Sequence, residues 1–179
     1  MQTIIKRGKF LKLVTLLLSS LLIATASAAV YNLMYIDAEV APKTAKVYFT
    51  TTGATDATAA GTTVGTGGTY VSFNSLSGWK NATRVYDKVV VIKNDNTATR
   101  NCTLRVNSTS GSVSDLDKLD FKVGSQTLDA TTVNNSITFN ISGNSSVDVE
   151  VRLKWKATAG NNPVTITLEL IVDAEGDSE

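Results

Sequence analysis

From Val147 to Val172 the chain alternates apolar and polar side chains almost without a break. Val147, Val149, Val151, Leu153 and Trp155 are apolar, and Asp148, Glu150, Arg152, Lys154 and Lys156 between them are charged. After Thr158-Ala159-Gly160-Asn161-Asn162-Pro163 the period resumes. Val164, Ile166, Leu168, Leu170 and Val172 then share one face, and Thr165, Thr167, Glu169 and Asp173 the other. A period of two marks a strand with one side in a core and the other in water. Two such strands about a Gly/Asn/Pro loop read as a β-hairpin. Burying each inward side chain contributes about 1.5–3 kcal/mol, while ordering the backbone costs about 1–2 kcal/mol for every residue. With only alternate residues buried, the pair cannot stand alone. It needs a second sheet over its apolar face, which constrains the chain to a sandwich.

The rest of the sequence supplies that sheet. Val47 and Phe49 alternate with Lys46, Tyr48 and Thr50, and residues 69–73 form a short strand candidate. Val89-Val90-Val91-Ile92 has no polar alternation, so this strand should be covered on both faces. Cys102, Leu104 and Val106 point inward, with Asn101, Thr103, Arg105 and Asn107 outward. Leu119, Phe121 and Val123 run up to Gly124-Ser125, which suits a two-residue hairpin loop. Ile137, Phe139 and Ile141 complete the set. Gly53–Gly68 reads as a long surface loop, Trp79 as a lid over one end of the core, and the acidic residues 173–179 as a solvated tail. The expected fold is all-β: an antiparallel β-sandwich, jelly-roll or Ig-like, with about eight or nine strands.

Residues 1–28 carry the features of a secretory signal peptide. Lys6, Arg7, Lys9 and Lys12 make a basic start, Leu13–Ile23 an apolar centre, and Ala24-Thr25-Ala26-Ser27-Ala28 a small-residue cleavage region. An uncleaved anchor is the first alternative, but the apolar run is shorter than the ~20 residues a span needs. A prepilin leader cut after Gly8 is the second, but Lys9 and Lys12 sit badly in a hydrophobic pilin helix. Cleavage after Ala28 leaves residues 29–40, opening Ala29-Val30-Tyr31-Asn32-Leu33-Met34-Tyr35-Ile36, as an apolar N-terminal strand, and residues 41–179 as the sandwich domain. That first strand must be buried, either in its own domain or in another copy. The expected mature protein is secreted and has no stable membrane span.

The composition excludes much chemistry. There is no histidine and one cysteine. That removes the zinc-protease motif, the Ser-His-Asp and Cys-His arrangements, zinc knuckles and redox pairs. Gly61–Gly68 has no Gly-Lys-Ser/Thr, and Tyr70 stands where a G-x-G-x-x-G pattern needs its last glycine, so it cradles no phosphate. No catalytic residue, metal site or cofactor is expected. Past residue 28 the chain carries 13 basic and 16 acidic side chains, which argues against nucleic acid. Cys102 reads as a buried small hydrophobe, not a reactive thiol. Asp115, Asp117 and Asp120 lack calcium-loop spacing and read as a solvated loop. Six N-x-S/T sequons stand at Asn81, Asn101, Asn107, Asn134, Asn140 and Asn144. They are candidate N-glycosylation sites, with Asn101, Asn107 and Asn140 on outward faces or strand ends where a glycan fits.

Four features together resemble the TasA/camelysin-like biofilm fibre subunits, and more closely the archaeal bundling pilins. They are a leader ending Ala24-Thr25-Ala26-Ser27-Ala28-Ala29 that runs into a hydrophobic strand; Val89-Val90-Val91-Ile92-Lys93-Asn94-Asp95 ahead of Leu104 and Val106; Val147-Asp148-Val149-Glu150-Val151 before a turn containing Gly160; and the closing Val164-Thr165-Ile166-Thr167-Leu168. The resemblance implies an extracellular filament built by donor-strand complementation, acting in cell–cell adhesion and biofilm, with copies of the chain as its partners and possible contacts that bundle filaments. Its donor side chains would be Tyr31, Leu33 and Tyr35, or Val30, Met34 and Ile36. Some camelysin relatives are described as metallopeptidases; without histidine, that activity does not carry over. The alternatives are a monomeric secreted module that binds sugar or protein through Gly53–Gly68, and an envelope protein assembling into sheets.

Overall fold

The computed structural model describes residues 45–160 and 163–173, with Lys12 alone before them. Apart from Lys12, the expected signal peptide over residues 1–28, the expected first strand over residues 29–40 with Val30, Tyr31, Leu33, Met34, Tyr35 and Ile36, and residues 174–179 lie outside the described residues. Ten strands are described: β1 (Val47–Thr50), β2 (Thr62–Val64), β3 (Tyr70–Phe73), β4 (Thr83–Asn94), β5 (Arg100–Gly111), β6 (Leu116–Val123), β7 (Gln126–Asp129), β8 (Ser136–Ile141), β9 (Ser145–Trp155) and β10 (Val164–Val172). One helical turn, α1 (Ala57–Ala60), follows β1. The strands form two antiparallel five-stranded sheets, in the orders β1-β4-β9-β6-β7 and β2-β3-β10-β5-β8. This is the expected sandwich, with ten strands where eight or nine were expected.

From β3 to β10 each sheet takes strands in the order of a jelly roll, 3-10-5-8 over 4-9-6-7. β1 and β2 extend the two sheets at their β4 and β3 edges. One expectation is thereby corrected: β9 and β10 are not a hairpin. They lie in opposite sheets, β9 between β4 and β6, β10 between β3 and β5. Both carry rows of large apolar side chains, and both rows are buried in the one core cluster between the sheets. The connection from Lys156 to Pro163 is long enough to cross between the sheets. True hairpins join β2 to β3 and β6 to β7, the latter through Gly124-Ser125 with Gly124 at φ 58°.

The inward rows are those read from the sequence. Val149, Val151, Leu153 and Trp155 on β9 and Val164, Ile166, Leu168 and Leu170 on β10 are buried, while Val147 and Val172 at their ends are half-buried. Phe73 and Phe121 meet across the core, 5.1 Å between ring centroids. Val89, Val90, Val91 and Ile92 are all buried. A bulge between Tyr86 and Val90 breaks the alternation. The backbone groups it frees are taken up by the segment read as a loop. The Asp56 carboxylate accepts from the Asp87 N–H at 2.7 Å, the Asp56 N–H donates to the Lys88 carbonyl at 2.9 Å, and the Thr62 hydroxyl donates to the Val89 carbonyl at 3.0 Å. Gly53–Gly68 is therefore partly structured, with α1 and β2 inside it. Among the described residues no helix is long and apolar enough to cross a membrane.

Candidate functional site

β1 pairs with only the last four residues of the twelve-residue β4, Val91–Asn94. Beside β1 a cleft of about 690 Å³ opens toward the β2–β3 hairpin. Its walls include Ala45, Tyr48, Phe49, Val64, Gly68 and Asp95. One backbone bond crosses from β1 to the hairpin turn, from the Phe49 N–H to the Gly68 carbonyl at 2.7 Å. Gly68 makes this approach possible. It sits at φ 72°, in the left-handed region, and a Cβ there would lie 2.6 Å from the Tyr48 Cβ.

The rim of the cleft is polar. The Tyr48 hydroxyl donates to Asp95 Oδ2 at 2.7 Å, and Lys93 Nζ lies 2.9 Å from Asp95 Oδ1. Those two donors, the hydroxyl foremost, hold the Asp95 carboxyl below its ordinary range, and the bond to Asp95 raises the Tyr48 phenol. An apolar trough with a charged lip, between the edge strands of two sheets, has the shape and chemistry to take an extended segment. The sequence reading missed the cleft. Gly67-Gly68 ahead of a strand was the available signal, since paired glycines mark a close backbone approach.

The other candidates separate. All six sequon asparagines are exposed. Asn81, Asn134 and Asn144 sit in turns with left-handed φ of 56°, 70° and 51°. Asn101 and Asn107 lie on β5 and Asn140 on β8, where Asn101 and Asn140 are direct cross-strand partners. Cys102 is buried as expected, and burial pushes its thiol up to about 11. The three aspartates point to different partners: Asp115 accepts from the Gly160 N–H at 2.9 Å, Asp117 faces Lys154 at 3.6 Å, and Asp120 faces Lys118 at 2.9 Å. Among the described residues no group of three or more metal-ligating side chains gathers. On the outer face of β3, β10 and β5, Glu169 accepts from the Tyr70 hydroxyl at 2.7 Å and from the Arg105 guanidinium.

At one end of the sandwich, a hollow of about 420 Å³ lies beside Leu76, Trp79 and Trp155. Trp155 closes the core there. Trp79 does not act as the expected lid: it is 77% exposed. No protein-family model matches this sequence, and no curated protein matches it.

Proposed function

We propose that the chain is a structural subunit of an extracellular filament, in which the N-terminal strand of one subunit completes the next. The observation that carries this reading is the cleft beside β1. It is apolar inside, and it lies between the short edge strands of both sheets. Val30–Ile36, upstream of β1 in the sequence, is apolar on both faces and needs burial. Main-chain hydrogen bonds to a sheet edge would give affinity, and alternate donor side chains in the trough would give register. A contact between the front of one copy and the edge of another does not close on itself, so it propagates a fibre. Assembly of this kind has no chemical step, and the chain acts as a homopolymer at the cell surface, in adhesion and bundling.

The sugar- or protein-binding monomer had Gly53–Gly68 as its site. Much of that segment supports β4 through Asp56, Thr62 and the buried Ala60, and its far end, Val64 and Gly68, is a wall of the β1 cleft, so it is not a free ligand loop. Electron microscopy of the mature chain beside the same chain lacking Ala29–Ile36 tests the filament reading. Filaments from the longer form alone are the expected outcome. Filaments from both forms, or concentration-independent monomers of the longer form, overturn it.

A further inference from the structure

Trp79 is the outlier of this surface. At 77% it is far more exposed than Val85 at 45%, the next large hydrophobic side chain among the described residues. Its exposure is not looseness, because the strap that carries it is pinned at several points. The Ser77 N–H donates to the Tyr86 hydroxyl, which donates back to the Ser77 carbonyl, each at 3.1 Å. Arg84, stacked 4.4 Å over the Tyr86 ring, donates to the Ser77 carbonyl and hydroxyl. The Asn81 N–H donates to the Trp155 carbonyl at 2.9 Å. Gly78 lies so close to the core that a Cβ there would be 3.1 Å from Leu153 Cδ1 and 3.3 Å from Trp155 Cδ1. A large apolar face is thus held out in water at a fixed place, and covering it would cost little further ordering entropy.

What can cover it is supplied two residues on. Asn81-Ala82-Thr83 is a sequon, and Asn81 is exposed, with φ 56°. The Ala82 N–H donates to the Trp79 carbonyl at 3.3 Å, closing a β-turn over residues 79–82. Asn81 is the third residue of that turn, two positions after Trp79. A sugar on Asn81 therefore starts on the same four-residue turn as the indole. The C–H face of a pyranose is weakly positive and apolar, and it packs on the electron-rich face of an aromatic ring. No other sequon has this arrangement. The residues two before Asn101, Asn107, Asn134, Asn140 and Asn144 are Thr99, Arg105, Thr132, Thr138 and Ser142. Asn101 and Asn140 also face each other across β5 and β8, so glycans on both would crowd within about 5 Å.

We propose that Asn81 is the N-glycosylation site of this chain and that Trp79 is the platform on which its first saccharide packs. The co-reactant is a polyprenyl phosphate- or pyrophosphate-linked oligosaccharide. A bond forms between Asn81 Nδ2 and the sugar C1, the C1–O bond to phosphate breaks, and the lipid phosphate leaves with the electron pair. The amide proton passes to a base of the transferase. The proposal rests only on the export part of the filament reading, and not on strand exchange.

The test is glycopeptide mapping of the full chain secreted from an N-glycosylating host, as wild type, Trp79→Ala, Trp79→Phe and Asn81→Gln. The expected result is an occupied Asn81 whose occupancy falls several-fold in Trp79→Ala, less in Trp79→Phe, with other sequons unchanged. The glycosylated wild type should also melt roughly 2–4 °C above Asn81→Gln, a gap that closes when Trp79 is alanine. An exported chain bare at Asn81, or an occupancy and melting gap indifferent to Trp79, overturns the proposal. A chain that retains residues 1–28 inside the cell refutes export first, and the proposal with it.

Discussion

Asn94 shows how much one residue decides. It is fully buried, and its amide nitrogen lies 3.0–3.1 Å from the carbonyls of Ala98, Ile141 and Ser142, while its side-chain oxygen accepts from the Asn96 N–H at 2.9 Å. One side chain thus ties the end of β4 to the turn before β5 and to the end of β8. A buried polar group left unsatisfied costs about 1–3 kcal/mol, and Asn94→Ala orphans several at once. We expect it to destabilise the domain by about 2–4 kcal/mol, read as a lower urea midpoint at unchanged slope. Gly68→Ala should act elsewhere, because its Cβ would strike Tyr48 at the cleft wall in a backbone conformation alanine resists. Cys102 gives a third check. With its thiol raised to about 11 by burial, it should be alkylated at pH 8 far more slowly in the native protein than in urea, followed by mass spectrometry.

At the scale of elements, the sequence was most legible where one face was simply buried. The inward rows of β5, β6, β9 and β10 could be read residue by residue because a period of two leaves no freedom in which side faces the core. Which strands pair was not legible. β9 and β10 have matched apolar faces, and periodicity alone does not distinguish neighbours in one sheet from partners across the core. The bulge in β4 escaped because its freed backbone groups are satisfied by Asp56, some thirty residues away. The cleft escaped because it is made by what two short edge strands leave uncovered. The outer face of β3, β10 and β5 carries its own prediction. The Tyr70 hydroxyl, and after it Arg105, hold the Glu169 carboxyl below its ordinary range. A carboxyl depressed on folding stabilises the protein above its unfolded value of about 4.3, and that stability is lost as pH falls through the lower, folded value. Glu169→Gln should therefore flatten the acid limb of a melting-temperature profile below about pH 4.3 and leave its shape near neutrality unchanged.

For the whole molecule, the described strands β3 to β10 supply both sheets of the jelly roll and rows of buried side chains between them. A domain lacking residues 29–40 should fold, with its β1 cleft open. If the cleft is the acceptor, a synthetic peptide of residues 29–40 is a ligand for the native state alone. Such a ligand stabilises by about 2.7 kcal/mol at a hundred times its dissociation constant. For a domain of this size that corresponds to a melting-temperature rise of roughly 5–10 °C, growing with the logarithm of peptide concentration. The rise should vanish in Val64→Asp, which puts a carboxylate in the cleft wall, and persist in Val85→Asp, whose side chain is exposed on β4 outside that wall. The peptide should also stop filament growth when added to the mature chain, since a subunit already filled has no edge to offer. A peptide that leaves the melting temperature unmoved at millimolar concentration would place the first strand's partner somewhere other than this cleft. A shift equally large in Val64→Asp would mean that the peptide binds, but to another edge.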